Sequence, residues 1–173
     1  MPADPHATLS PNEEKSDEVV NVPYREAIGS LMFLAIVSRP DIAFAVNAAS
    51  RFTNNHNESH WRAVKRIIAY INGTVKLGIE YRSGGRDSGL IGYSDADFAS
   101  NVESRRSTTG YVFYLSNGPI TCSSQRQKLV ILSTTEAEYV AASAATREAM
   151  WLRKLLRDLG HSCVEATKLY VDK

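Results

Sequence analysis

The chain has 173 residues, a formal net charge of +1, 43% apolar residues and 23% charged residues. That composition excludes wholesale disorder, leaves room for one ordinary domain or a small domain plus a flanking segment, and gives no bulk charge to attract a polyanion. Cys122 and Cys163 lack metal-ligand spacing, so no disulfide framework or zinc site is indicated, and a reducing intracellular compartment fits best.

Residues 1–22 are rich in Pro, Asp, Glu, Ser and Asn and read as a flexible leader. They show no signal-like apolar region, and no later run approaches the length of a membrane span, so no membrane partner is expected. Residues 23–76 then carry a helical pattern. Ile28, Leu31, Met32, Ala35 and Ile36 fall at helical spacing until Arg39-Pro40 ends the segment. Pro40 opens a second helix with Ile42, Ala43, Val46, Ala49 and Ser50 on one side. A third helix from Glu58 to Ile71 places Trp61, Val64, Ile68 and Ile71 in an apolar stripe opposite Arg62, Lys65 and Arg66, and Asn72-Gly73 ends it. His56, His60 and His161 show no metal or triad spacing and read as surface or helix-end residues.

Over residues 77–173 the period changes. Leu77 to Tyr81 reads as a short strand, Ser83-Gly84-Gly85 as a turn and Leu90 to Asp95 as a strand. A loop with Glu103, Arg105 and Arg106 leads to a hairpin of Gly110–Leu115 and Ile120–Ser124 joined by Ser116 to Pro119. Tyr111 and Phe113 are expected to pack the sheet. Gln125 to Lys128 reads as a basic polar loop, Ser133 to Leu159 as a long helix stopped by Gly160, and Lys168 to Asp172 as a last strand. A strand following a helix by a short connection usually lies parallel to an earlier one, here Leu90–Asp95. The expected fold class is therefore α/β, with three antiparallel strands, a long helix and a parallel fourth strand.

That topology brings Asp95 and Asp172 to the C-terminal ends of adjacent strands, where open α/β sheets place their sites. Glu138 joins them from the helix. At 100° per residue it lies within roughly 60° of Ala141, Ala145, Leu152, Leu156 and Leu159, whereas Glu136 points roughly 200° away. Glu136 has a local use in a Ser133–Glu136 capping box, although a Thr135–Glu138 box in the other register stays open. Asp97 shares the strand parity of Asp95 and is a candidate to support the ligands from behind or to substitute for one. Three converging carboxylates form a hard, all-oxygen site of the kind that holds Mg²⁺. The bland alternative is that these acids only shape strand ends and turns. Arg105, Arg106, Arg126 and Lys128 flank the hairpin and are candidates for nucleic-acid contact, against the alternative of solvated loop charges.

Three segments add a family resemblance: Tyr93-Ser94-Asp95-Ala96-Asp97-Phe98-Ala99, Arg105 to Tyr111, and Leu132 to Tyr139. Together they look like the ribonuclease H domain of copia-type LTR retrotransposon Pol polyproteins. Upstream, Gly29 to Met32, Arg39 to Ala43 and His60 to Arg66 resemble the end of the same family's reverse transcriptase and its connection to ribonuclease H. The resemblance implies a ribonuclease H-like mixed sheet preceded by a helical reverse-transcriptase thumb or connection segment. It makes Asp95, Glu138 and Asp172 the catalytic, metal-binding carboxylates for two Mg²⁺ ions, with an RNA–DNA hybrid as substrate. One ion would generate hydroxide and the other would stabilise the departing 3′ oxygen. Remaining Pol segments are implied partners, and a cytoplasmic virus-like particle or the nucleus is the implied location. The family continues past Asp172, whereas Lys173 ends this sequence. On that basis the domain is expected to be C-terminally truncated, its last strand to fray and its nuclease activity to be weak or lost. It is not expected to polymerise DNA. The competing expectation is a non-catalytic retroelement remnant that at most binds nucleic acid.

Overall fold

The computed structural model describes residues 1–4, 9–10, 21–82, 89–101, 104–161 and 165–172. The expected turn at Ser83-Gly84-Gly85, Glu103, Cys163, Lys173 and most of the leader lie outside the described residues. The chain divides into two compact units, residues 1–79 and 80–173.

The first unit is helical: α1 (Tyr24–Val37), a 3₁₀ turn (Pro40–Ile42), α2 (Ala43–Ser50) and α3 (Glu58–Gly73). Its core is Tyr24, Ile28, Leu31 and Ala35 of α1 against Ile42, Ala45, Val46 and Ala49, closed by Val64 and Ile67 of α3. The buried stripe of α1 is narrower than the apolar sequence pattern. Met32 and Ile36 face solvent, with Ile36 81% exposed, because each is turned about 100° from its buried neighbour Leu31 or Ala35. Ile68 is likewise exposed, and Ile67 takes its place in the core.

The shift in α3 follows from its cap. Asn57 accepts the amide of His60 at 3.1 Å, and His60 Nδ1 accepts the amide of Asn57 at 3.0 Å, a reciprocal capping box. His60 is therefore buried, not at the surface, with Nε2 2.9 Å from the Ser10 carbonyl and its ring stacked on Phe52. The helix then buries positions 60, 64 and 67. Asn57→Ala removes one half of the box and is expected to cost about 1 kcal/mol. Urea unfolding, read on resonances of the helical unit, would reveal it; an unchanged midpoint would make the cap dispensable.

The Arg39-Pro40-Asp41 sequence does more than stop α1. Arg39 is 8% exposed, and its guanidinium grips both oxygens of Asp41 at 3.0 and 2.8 Å. It also donates to Thr74 Oγ1 at 2.7 Å and lies over the Tyr70 ring, while Tyr70 donates to Asp41. Arg39 holds the Asp41 carboxyl below the usual carboxylate range. The clamp ties the α1–α2 corner to the end of α3.

The second unit is one mixed sheet with one long helix. β1 (Ile91–Asp97), β2 (Thr108–Leu115), β3 (Gly118–Arg126) and β4 (Lys168–Val171) lie in the order β3-β2-β1-β4, with α4 (Thr134–Asp158) between β3 and β4 in sequence. β1/β2 and β2/β3 are antiparallel and β4 is parallel to β1, matching the expected class and crossover. Residues 77–82 are not a strand. Arg82 makes a backbone bond to Ser116 and Tyr81 donates to Pro119, but no ladder forms, and Leu77 and Tyr81 stay exposed. The hairpin turn is tighter than expected. Ser116 and Asn117 alone make it, with φ of 52° and 65°, and Gly118 and Pro119 already belong to β3. Gln125 and Arg126 belong to β3, so the basic loop begins at Gln127, two residues later than expected.

Helix α4 starts at the Ser133 cap, whose hydroxyl accepts the Glu136 amide, while Glu136 reaches back to the Leu132 amide. It stops at Gly160, φ 82°, where the amides of Gly160 and His161 return to Arg157 and Leu156, a Schellman pattern. Its inner face is mostly alanine: Ala137, Ala141, Ala145 and Ala149, then Leu152 and Leu156. Leu159 is 66% exposed because it is the C-cap, beyond the last turn that lies on the sheet. Small side chains let the helix approach closely, and Phe113, fully buried, fills the gap over Gly92.

Candidate functional site

The burial of β1 alternates. Gly92 and Ser94 are buried under α4, whereas Tyr93, Asp95 and Asp97 are exposed. Tyr93 stacks on Tyr170 of β4 and meets Tyr114 edge-on. Asp95 thus enters the site from the uncovered side of the strand. The β1/β4 pairing ends at Ser94 and Val171, so Asp95 and Asp172 each stand one residue beyond the last pair. Sequence topology alone had predicted this adjacency.

Glu138 arrives from the start of α4, next to the buried Ala137 and itself half-buried. Past the end of β4 the amide of Ala96 has no strand partner, and Glu138 Oε1 accepts it at 3.1 Å. The other oxygen, Oε2, is buried and meets no donor among the described residues. Burial pushes the Glu138 carboxyl above its ordinary value; the Ala96 bond opposes the shift, and the charges of Asp95 and Asp172 add to it. Glu136 is exposed and occupied with the helix cap, as its angle predicted.

The three acids therefore share one electrostatic neighbourhood at the ends of β1 and β4. A buried, undonated oxygen beside two further carboxylates is the situation a divalent cation relieves, and an all-oxygen set suits Mg²⁺. They are not gathered into a cage: among the described residues no three His, Cys, Asp or Glu side chains are close enough to hold a metal ion together. The physical reason is visible in the parity. Asp95 leaves the uncovered side of β1, while Glu138 comes from the helix on the other side.

The basic candidates lie at the same end of the sheet. Asp97, Thr108 and Arg126 are register partners across β1, β2 and β3, so Arg126 shares a cross-strand row with Asp97. Arg105 (φ 52°) and Arg106 precede β2, and Lys128 follows β3 by two residues. Arg105, Arg126 and Lys128 are exposed, while Arg106 is half-buried with a buried Nε that meets no acceptor among the described residues.

Sequence reasoning missed the polar layer under this edge: Ser107, Thr108, Thr109 and Gln127, all buried. Gln127 donates from one amide nitrogen to Thr109 Oγ1 and to the Ala137 carbonyl, both at 3.0 Å. Within Gln125-Arg126-Gln127-Lys128 no sequence signal distinguishes it: Gln125 shares its parity and is exposed, and Gln127 lies just past the end of β3.

What the geometry defines is a class: an α/β mixed-sheet domain whose carboxylates collect at the C-terminal ends of two parallel neighbours. No family model and no solved structure matches the chain. It is 47% identical over 147 residues to the retrovirus-related Pol polyprotein from transposon TNT 1-94 of Nicotiana tabacum, covering 85% of this chain and 11% of that polyprotein. To the Pol polyprotein from transposon RE1 of Arabidopsis thaliana it is 42% identical over 149 residues, 86% of this chain and 10% of the other. It is also 48% identical over 132 residues to secreted RxLR effector protein 161 of Plasmopara viticola, 76% of this chain and 92% of that protein. The chain belongs to the family of retrovirus-related Pol polyproteins of copia-type transposons, and it spans about a tenth of the length of the Pol polyproteins it matches. No helix among the described residues is long and apolar enough to cross a membrane.

Proposed function

We propose that residues 80–172 are a ribonuclease H-like domain, by ancestry a metal-dependent hydrolase of RNA in RNA–DNA hybrids, and that residues 23–79 derive from the end of reverse transcriptase and its connection. The observation that carries this reading is the Glu138 carboxylate at the open end of β1, one oxygen on the Ala96 amide and the other undonated, in the field of Asp95 and Asp172. Asp95, Glu138 and Asp172 would hold Mg²⁺, which supplies the attacking hydroxide and stabilises the leaving oxygen. The protein's own share is to place three oxygens and to set the charge there. Because Asp95 and Glu138 approach from opposite sides of the strand, the reading includes weak activity for this chain. The nucleic-acid partner would lie along the Arg105, Arg106, Arg126 and Lys128 end, and other Pol segments are the natural protein partners.

Cleavage of a labelled RNA–DNA hybrid with and without Mg²⁺ tests it. The expected result is slow, Mg²⁺-dependent cleavage that falls on the order of a hundredfold in Asp95→Asn, the upper end of losses seen even for residues behind a metal ligand. Cleavage undiminished in Asp95→Asn would remove the site. Fast cleavage abolished by Asp95→Asn would keep the site and overturn the weak activity.

A second reading is favoured by one comparison. The effector-like relative is matched over 92% of its length, so this same stretch exists as a separately named short protein. In that reading the chain is a non-catalytic derivative that binds nucleic acid through its basic edge. Salt-dependent hybrid binding, lost when Arg105, Arg106, Arg126 and Lys128 are changed to Gln, with no Mg²⁺-dependent cleavage, would select it.

A further inference from the structure

The apolar cluster beneath α4 comprises Leu90, Phe113, Ala145, Ala149, Leu152 and Leu156. Ala137 and Ala141 are fully buried but lie outside that cluster, so the first turns of the helix rest on something else. What they rest on is polar. Ser107, 0% exposed, accepts the Ala99 amide at 3.1 Å on its hydroxyl and the Gln127 amide at 2.8 Å on its carbonyl. Gln127, 5% exposed, then spans from Thr109 Oγ1 to the carbonyl of Ala137, the residue immediately before Glu138. Thr109 is the register partner of Ala96, whose amide Glu138 receives. One side chain therefore joins the strand row that contains the Ala96 amide to the helical turn that carries its acceptor.

We propose that Gln127 is the positioning residue of the carboxylate site, holding the first turns of α4 so that Glu138 reaches the end of β1. The chemistry requires an amide. Two N–H groups on one nitrogen serve two acceptors at once, which an isosteric glutamate cannot do and an apolar side chain cannot replace. Its Oε1 is buried and meets no donor among the described residues, a cost on the order of 1–3 kcal/mol that core packing alone would not select. The functional meaning of this role rests on the proposed nuclease reading; the positioning itself does not.

Amide hydrogen exchange of the full chain tests it without metal or substrate. In Gln127→Met the Ala96 amide is expected to exchange about tenfold faster, the worth of one hydrogen bond, while the Phe113 amide at the centre of β2 keeps its native rate. Glu138→Ala should reproduce the same acceleration at Ala96. Native exchange at Ala96 overturns the proposal, and so does equal acceleration at Ala96 and Phe113, which would mean simple destabilisation. Should Gln127→Met not unfold cooperatively, Gln127→Asn keeps the amide and shortens its reach, and the same two amides decide. Loss of Ala96 protection in a chain that cleaves no hybrid would uphold the positioning and remove the nuclease reading; the reverse pair of results would do the opposite.

Discussion

Glu138→Gln is expected to raise the unfolding midpoint of the α/β unit at pH 7 while abolishing its response to Mg²⁺. The carboxyl is raised by burial and by Asp95 and Asp172, so the folded state holds its proton more tightly than the unfolded chain, whose reference value is 4.5. A group raised in the folded state contributes stability that is fully present below the unfolded value and is lost as pH climbs through the folded one. The ionised carboxylate of the native protein therefore carries a penalty that its protonated form does not. Glutamine removes the charge and keeps an Oε1 acceptor for the Ala96 amide. The gain comes from removing a partly desolvated charge beside Asp95 and Asp172, and is read as a rise of a few degrees in the unfolding midpoint. It should shrink as pH falls and be lost below the unfolded value of 4.5, where the carboxyl is protonated in both states.

Mg²⁺ works in the opposite sense. A cation that binds only the folded site stabilises it by about 2.7 kcal/mol at a hundredfold excess over its dissociation constant. Native protein should gain that increment and Glu138→Gln should not. Thermal unfolding at two pH values, with and without Mg²⁺, gives all four numbers. A glutamine variant that melts below the native protein at pH 7 would refute the account of Glu138.

Gly92→Ala has the second large effect. A Cβ at this position would fall onto the edge of the Phe113 ring and 2.9 Å from Leu169 Cδ1. Phe113 is fully buried among Ala145, Ala149 and Leu152 and has no room to withdraw. Leu169 is half-buried and meets the added carbon with the end of its side chain, so it must shift against a β4 that is four residues paired to β1 alone. Overpacking of this kind costs about 1–3 kcal/mol. The loss should be concentrated at β4, so that Asp172 leaves the neighbourhood of Asp95 before the rest of the sheet opens. Urea unfolding gives the size and hydrogen exchange of β4 amides gives the place. Gly92→Ala with native stability and native β4 protection would show that the ring and Leu169 can yield after all.

Period and punctuation made much of this fold readable in one dimension. Ser133 and Gly160 bound α4, the parallel return of β4 follows from a short helix-to-strand connection, and that topology leaves Asp95 and Asp172 at one edge of the sheet with Glu138 on the helix beside it. Family resemblance pointed to the same three residues. Errors arose where a periodic pattern offered more apolar residues than the core could take. Met32, Ile36 and Ile68 have helical spacing, but a small three-helix core accepts only one narrow stripe from each helix. Leu77–Tyr81 has strand composition but forms no ladder with the sheet.

The linear chain by itself determined the order of elements, the edge at which the carboxylates gather and the family, because these depend on local hydrogen bonding and on motifs read residue by residue. Only tertiary packing decided how the carboxylates meet. Strand parity sends Asp95 to the uncovered side while the helix brings Glu138 from the other, the end of β4 frees the Ala96 amide that Glu138 takes, and a buried Gln127 sets the height of the helix. Each of these is a relation between groups at least 10 positions apart in sequence, created by desolvation and close contact, and no local pattern encodes it.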